Sequence, residues 1–146
     1  MTLNRIPTHT DDVIDSRDVI EAIEMLKAQR DDEYSDYVAW AEESGDVEIV
    51  PLETWSGDLF EFHDDLAALE RFADEGEGAE DWQYGAQFIH DLYFEDYARE
   101  MARDCVDGFS DRDEWPYNHI DWKAASEALQ MDYSDYDFDG QLYWAR

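Results

Sequence analysis

The chain has 146 residues, of which 40 are Asp or Glu and 10 are Lys or Arg, so its formal net charge is −30. This charge excludes bare nucleic acid and anionic membranes as partners, because both would repel the protein. An apolar fraction of 44% and an aromatic fraction of 15% argue against a disordered acidic tail. Adaptation to high salt would also explain the acidity, but it does not require so many aromatic residues. We therefore expect a folded domain whose partners are positively charged.

The length fits one domain, or one domain with an elongated extension. The single cysteine, Cys105, excludes an intrachain disulfide, is typical of a reducing compartment and is expected in the core. No apolar run approaches the length of a membrane span, so we expect a cytoplasmic protein. The expected fold is mostly α (α+β), with acidic amphipathic helices and a small C-terminal β-hairpin. Two regions are expected, an acidic helical region over 1–78 and a C-terminal region over 79–146.

A long helix that runs to Ser44 is predicted, with Asp15 and Ser16 both offering an N-cap and Gly45 as its stop. Apolar residues at intervals of three and four form its inward stripe. Charged residues at 30–32 interrupt this stripe, so both a continuous and a broken helix stay open. The acids of the outer face are Asp18, Glu21, Glu24, Asp31, Asp32, Glu33, Asp36, Glu42 and Glu43.

Further elements follow in chain order. A short strand is predicted over 47–50. A second helix is predicted over 58–74, with Gly76-Glu77-Gly78 as the signal that ends it. A third helix is predicted over 85–106, with Phe88, Ile89, Leu92 and Cys105 among its buried residues. A fourth helix capped by Asp121 runs to Met131. A hairpin with its turn at 139–140 ends the chain.

No motif favours an enzyme or a cofactor. Asp135, Asp137, Asp139 and Gly140 match the first half of an EF-hand calcium loop, but position twelve is Arg146 where a Glu is needed. The hairpin is therefore the favoured interpretation, with a calcium-responsive module as the alternative. The four histidines lack zinc-protease spacing, and paired carboxylates are too common here to indicate a glycosidase. We expect no catalysis, no cofactor and no metal site.

The pattern of carboxylates is the remaining functional signal. Acids on successive helical turns lie about 5 to 6 Å apart, which is comparable with the phosphates of one DNA strand. From Asp31 to Ala98 the chain has twenty-two acids and one basic residue, Arg71. Such a surface could enter a cleft that is lined with Lys and Arg. The candidate partner-binding residues are Glu21, Glu24, Asp31, Asp32, Glu33, Asp36, Asp91, Glu95, Asp96, Glu100, Asp104 and Asp121.

The C-terminal segment, roughly residues 82 to 146, contains a series of aromatic and helical landmarks. These are Tyr93-Phe94-Glu95-Asp96-Tyr97-Ala98 through Ala102, Ile120-Asp121-Trp122, Met131-Asp132-Tyr133, Asp139-Gly140, and Tyr143-Trp144 through Arg146. In these landmarks the segment resembles the ArdA-type antirestriction proteins of plasmids, transposons and phages.

The resemblance implies a mimic of B-form DNA that occupies the DNA-binding groove of type I restriction–modification enzymes. It also implies an elongated and usually dimeric protein, and a homodimer is expected here because the aromatic content exceeds what one small core buries. Glu95, Asp96, Glu100 and Asp121 fall within the shared segment. The N-terminal half differs, because a long acidic helix replaces the small mixed α/β domain of the family. Another target, such as a CRISPR effector, and an acidic adaptor or chaperone for a basic DNA-binding protein therefore stay open.

Overall fold

The computed structural model describes residues 6–105 and 115–146 and confirms the mostly α, α+β fold. Within these residues, five α-helices accompany one four-stranded sheet. The helices are α1 (Ser16–Ser44), α2 (Leu52–Leu59), α3 (His63–Gly76), α4 (Phe94–Cys105) and α5 (Trp122–Gln130). The strands are β1 (Val13–Asp15), β2 (Gln87–His90), β3 (Ser134–Phe138) and β4 (Gln141–Ala145). Single 3-10 turns occupy Asp91–Tyr93 and Tyr117–His119.

The strands form an antiparallel sheet in the order β1-β2-β4-β3. The predicted C-terminal hairpin is confirmed as β3 and β4. Its two turn residues have positive φ, 49° at Asp139 and 87° at Gly140, as a two-residue hairpin requires. The EF-hand alternative is not supported, since the segment that would form a calcium loop is strand and turn.

The predicted long helix is confirmed and is continuous. The Asp15 carboxylate accepts a hydrogen bond from the backbone N–H of Arg17 at the N-terminus of α1. Gly45, with φ of 76°, adopts the left-handed conformation that ends the helix. Its 29 residues span about 43 Å at 1.5 Å per residue.

The strand predicted over 47–50 is wrong, because residues 48–50 have no regular structure. Two tyrosines of α1 bind this segment instead. The Tyr34 hydroxyl donates to the carbonyl of Val50 at 2.7 Å, and the Tyr37 hydroxyl accepts from the Val50 N–H at 3.2 Å. Hydrogen bonds to side chains thus replace those of a sheet.

The helix predicted over 58–74 is confirmed only from His63 onward, because α2 ends at Leu59 and α3 begins at His63. Phe60 is buried and extended, with ψ of 117°, and it breaks the helical path. Its ring lies 6.4 Å from that of Trp55 and 6.1 Å from that of Phe62. Aromatic packing therefore fixes a bend that helical periodicity does not reveal.

The third helix starts nine residues later than predicted, at Phe94. The preceding segment is β2, which lies between β1 and β4 in the sheet. Phe88 and Ile89 are both fully buried, and because neighbours on a strand face opposite ways, the sheet is covered on both sides. Leu92 and Cys105, predicted to be buried, are exposed, Leu92 to 84%. Val106, the predicted last residue, lies outside the described residues.

The main hydrophobic core lies between one face of the sheet and the helices α1 and α3. Phe72 of α3 is its centre, with ring centroids 4.7 Å from Phe138, 4.9 Å from Phe88 and 6.2 Å from Tyr143. Leu26 of α1 belongs to the same cluster. The core therefore contains residues from both of the predicted regions, 1–78 and 79–146.

The other face of the sheet is covered by α4. Phe94 is 1% exposed and lies 6.4 Å from Trp144 of β4 and 5.2 Å from Tyr133. Tyr97 and Tyr133 join their hydroxyls at 3.0 Å, and burial and this bond raise the pKa of Tyr97. This second aromatic layer holds α4 against β4, and α4 in turn packs on α5. In the described chain, none of the helices is both long and apolar enough to cross a membrane.

Candidate partner-binding surface

The carboxylates lie on the surface of the described fold. The buried polar side chains of those residues are Ser16, Ser56, His90 and Ser126, and none of them is Asp or Glu. Of the twelve candidate residues, Glu21 is half-buried and the other eleven are exposed. Because these acids are exposed to solvent, their negative charge is available to a partner.

Eight of the nine acids of α1 follow two flanks of its solvent-facing side, as the 3.6-residue turn dictates. Val19, Leu26 and Ala41 define the packed side. One flank carries Asp18, Asp32, Asp36 and Glu43, and the other carries Glu24, Asp31 and Glu42, with Glu21 between them. Glu33 is exposed but belongs to neither flank, because it lies seven residues after Leu26 and therefore on the packed side. Both flanks extend along most of the helix, so α1 presents carboxylates over a length of several tens of ångströms.

Neutralisation of these acids by basic residues is limited. Between described residues, Lys or Arg lies within 4.0 Å of a carboxylate in three pairs, Arg17–Asp15, Lys27–Glu70 and Arg30–Asp31. The Lys27–Glu70 contact is long, at 3.9 Å, and about half-exposed, and it contributes little. Of the six candidate acids of α1, only Asp31 belongs to such a pair.

The C-terminal end of α1 carries negative charge where the helix itself disfavours it. Glu42 and Glu43 occupy its last turn, and that turn contains no basic residue. The helix dipole places partial negative charge at this end, and each acid there opposes helix formation by about 0.3–1 kcal/mol. Folding stability therefore does not explain this placement.

The acids of α4 form a shorter row. Asp96, Glu100 and Asp104 are exposed and lie four residues apart, about 6 Å along the axis. Glu100 accepts a hydrogen bond from the Tyr93 hydroxyl at 2.8 Å, and this bond raises the pKa of Tyr93. Glu95 and Asp96 lie in the first turn, where the helix dipole favours them.

Two candidate residues have structural roles. Asp91 accepts a hydrogen bond from the indole N–H of Trp144 at 2.9 Å. Asp121 caps α5 by accepting from the backbone N–H of Ala124 at 3.1 Å. These two hydrogen bonds explain the presence of both acids, and no partner protein is needed to explain it.

The twelve candidates do not converge on one surface. α1 packs on α3 and so lies over the Phe88 side of the sheet, whereas α4 lies over the Ile89 side. Glu21, Glu24, Asp31, Asp32 and Asp36 therefore belong to one surface, and Glu95, Asp96, Glu100 and Asp104 to another. Glu33 lies on α1 as well, but toward its packed side. The longer α1 row is the stronger candidate interface.

Two features were missed by the sequence prediction. Asp135 and Asp137 are exposed on one face of the edge strand β3, and strict alternation with Tyr136 and Phe138 could have indicated this. Trp40 lies between acidic residues of α1, and its side chain is 56% exposed. Helical spacing alone does not reveal its exposure.

Metal ions are held in proteins by small clusters of ligating side chains. Within the residues that the structure describes, no group of three or more His, Cys, Asp or Glu side chains is placed to hold an ion. His90 is buried in the sheet. Its Nδ1 accepts from the backbone N–H of Leu92, so its Nε2 donates to Gln141 at 3.1 Å.

Comparison with known proteins gives no assignment, since no family model, curated protein or solved structure matches the chain.

Proposed function

We propose that this protein is a non-catalytic DNA mimic that occupies the DNA-binding groove of a host defence enzyme. In this proposal a phage or another mobile element encodes it, and it acts in the cytoplasm of the host. The first target to consider is a type I restriction–modification complex, on the strength of the C-terminal resemblance.

The observation that carries the proposal is the continuous helix α1. It carries nine carboxylates over about 43 Å, eight of them on its solvent-facing side, and one DNA strand of this length carries about a dozen phosphates. The three basic residues of this helix are Arg17, Lys27 and Arg30, and each has an acidic neighbour. The net field of the helix therefore stays strongly negative.

The acids at the end of α1 support selection for charge rather than for stability. Glu42 and Glu43 oppose the helix dipole, and the packed core does not use them. A binding role gives a reason for retaining charges that act against folding. Adaptation to salt would be satisfied equally well by acids at helix N-termini, where Asp64 and Asp65 of α3 already lie.

A competition experiment tests the proposal. A labelled duplex is bound to a purified type I restriction–modification complex at low salt, and the protein is added in increasing amounts. We expect displacement of the duplex, and we expect it to weaken as NaCl is raised, because screening removes the electrostatic attraction. The same titration against a CRISPR effector determines which class of enzyme is the target.

Two variants with the same loss of charge identify the binding face. Asp32→Asn, Asp36→Asn and Glu43→Gln together remove three charges from α1. Asp96→Asn, Glu100→Gln and Asp104→Asn together remove three from α4. The α1 variant should displace DNA less well than the α4 variant.

Mimicry is wrong if the protein displaces DNA from neither class of complex. Stable binding to a DNA-binding protein that keeps its duplex would instead indicate an acidic adaptor.

A further inference from the structure

An exposed tryptophan lies on the acidic helix and is supported by the core. Trp40 is 56% exposed, and its ring centroid lies 6.3 Å from that of Tyr37. Tyr37 stacks on Trp55 at 6.1 Å, and Trp55 is buried to 5% exposure. Three rings in sequence thus connect the surface indole to the interior.

The middle ring of this series, Tyr37, is held by hydrogen bonds at its hydroxyl and by a neighbouring ring. The Tyr37 hydroxyl donates to the carbonyl of Glu48 and accepts from the N–H of Val50, each at 3.2 Å. Tyr34 lies 5.8 Å from the Tyr37 ring and 5.5 Å from Trp55. Trp40 therefore rests on an ordered aromatic support, and less entropy is lost when a partner binds to it.

The charge around Trp40 has one sign. Asp36 lies one helical turn before it and Glu43 one turn after it, on the same side of α1. The segment from Asp31 to Glu70 contains no Lys or Arg. A tryptophan face in this field attracts cations through its π electrons, and the two carboxylates reinforce the attraction.

The chain already shows this interaction elsewhere with its own arginines. The guanidinium of Arg99 lies 5.0 Å from the Trp122 ring, and that of Arg146 lies 5.3 Å from the Tyr133 ring. Among the described residues, no basic side chain is found over Trp40 in this way. Its face is therefore available to a cation from another molecule.

We infer that Trp40, Asp36 and Glu43 form a binding site for an arginine side chain of the partner protein. The guanidinium would lie flat on the indole while its N–H groups donate to the two carboxylates. Arginine fits better than lysine, because its planar group stacks on a ring and still donates in its own plane. The inference rests on the proposed function and adds to it a contact that phosphate mimicry alone does not provide.

Peptide titration tests the site without the unidentified target. The full chain with 15N-labelled indoles is titrated with hexa-arginine and separately with hexa-lysine at about 0.15 M salt. The Trp40 indole signal, assigned by its loss in Trp40→Leu, should shift more with hexa-arginine. Trp40→Leu should weaken hexa-arginine binding about two- to five-fold and hexa-lysine binding less, as expected for an exposed cation–π contact.

Trp115→Leu is the matched control, because Trp115 is 78% exposed and does not belong to the aromatic series. Leucine keeps an apolar side chain at position 40, and thermal unfolding of each variant shows whether it is folded. The inference is wrong if Trp40→Leu binds hexa-arginine as tightly as the unmodified protein, or if Trp115→Leu weakens it equally.

The two proposals can fail separately. If the protein displaces DNA from a defence enzyme and Trp40→Leu displaces it equally well, the arginine site is wrong and mimicry stands. If hexa-arginine binding depends on Trp40 but neither class of defence enzyme releases DNA, the proposed function is wrong and the arginine site stands.

Discussion

The hydroxyl of Ser16 accepts a hydrogen bond from the backbone N–H of Ala86 at 2.7 Å, although seventy residues separate them. The same hydroxyl donates to the carbonyl of Trp82 at 2.7 Å, and the Ser16 N–H donates to the carbonyl of Ala86 at 2.9 Å. Ser16 is fully buried. One small side chain therefore connects the first residue of α1 to the segment that leads into β2.

Removal of this hydroxyl should destabilise the whole fold. Ser16→Ala leaves the Ala86 N–H and the Trp82 carbonyl without a partner, and an unsatisfied buried polar group lowers stability by about 1–3 kcal/mol. Urea unfolding at fixed salt should show this loss as a lower midpoint with an unchanged slope. Ser44→Ala, at an exposed position of the same helix, is the control and should change little. Equal midpoints for the two variants would contradict the role of the Ser16 bonds.

Gly76 should not tolerate the substitution that normally stabilises a helix. Alanine is favoured over glycine in helices by about 1 kcal/mol. At position 76, however, a Cβ would lie 2.7 Å from the Trp82 ring and 3.3 Å from Phe88. Both rings are buried, so Gly76→Ala should lower the free energy of unfolding by about 1–3 kcal/mol.

Gly78→Ala is the natural comparison, because its nearest neighbour, the carbonyl of Glu75, would be 3.6 Å from the new Cβ. Calorimetry should show a lower melting temperature for Gly76→Ala than for Gly78→Ala. A rise in melting temperature for Gly76→Ala would show that the Trp82 ring moves without loss.

Local signals were enough to predict α1, α5 and the hairpin. Asp15 and Gly45 mark the ends of α1 through their own backbone and side-chain chemistry, and Asp139-Gly140 favours one turn type. The strand β2 could not be predicted in this way, because Phe88, Ile89 and Leu92 also fit helical spacing. Pairing with β1, more than seventy residues earlier, decides the outcome, and periodicity contains no information on it.

In the candidate site, too, some features follow from local sequence and others depend on tertiary structure. The exposure of the carboxylates of α1 and α4 followed from helical spacing, and eleven of the twelve candidate acids are exposed. Their division between two surfaces did not follow, because it depends on which side of the sheet each helix covers. The exposure of Trp40 also depends on the tertiary packing of Tyr37 on Trp55.

The stability of the fold should depend on pH through the Asp15 carboxylate. The hydrogen bond from the Arg17 side chain lowers the pKa of Asp15 below its ordinary value of 3.8, although partial burial opposes this. A lowered pKa means that the ionised carboxylate stabilises the fold fully above that ordinary value. The stabilisation is then lost as the pH falls through the lowered pKa.

Asp15→Asn measures this contribution, because asparagine keeps the N-cap but removes the charge. The variant should be less stable by up to about 1 kcal/mol near pH 7, given the exposure of Arg17 to solvent. The difference in unfolding free energy should shrink as the pH falls below about 4. A difference that grew on acidification would contradict the lowered pKa.

Glu42 and Glu43 should show opposite effects on stability and on binding. Glu42→Gln with Glu43→Gln removes two charges from the unfavourable end of α1, so the melting temperature should rise, by about 0.3–1 kcal/mol of stability per residue. The same variant should displace DNA from the target less well, because it has lost two of the displayed charges. Asp64→Asn with Asp65→Asn is the matched control. It removes the same charge from the first turn of α3, where the dipole favours acids, and so should lower the melting temperature.

If the Glu42 and Glu43 variant were more stable and displaced DNA as well as the unmodified protein, the end of α1 would lie outside the interface. Its charges would then need a different explanation.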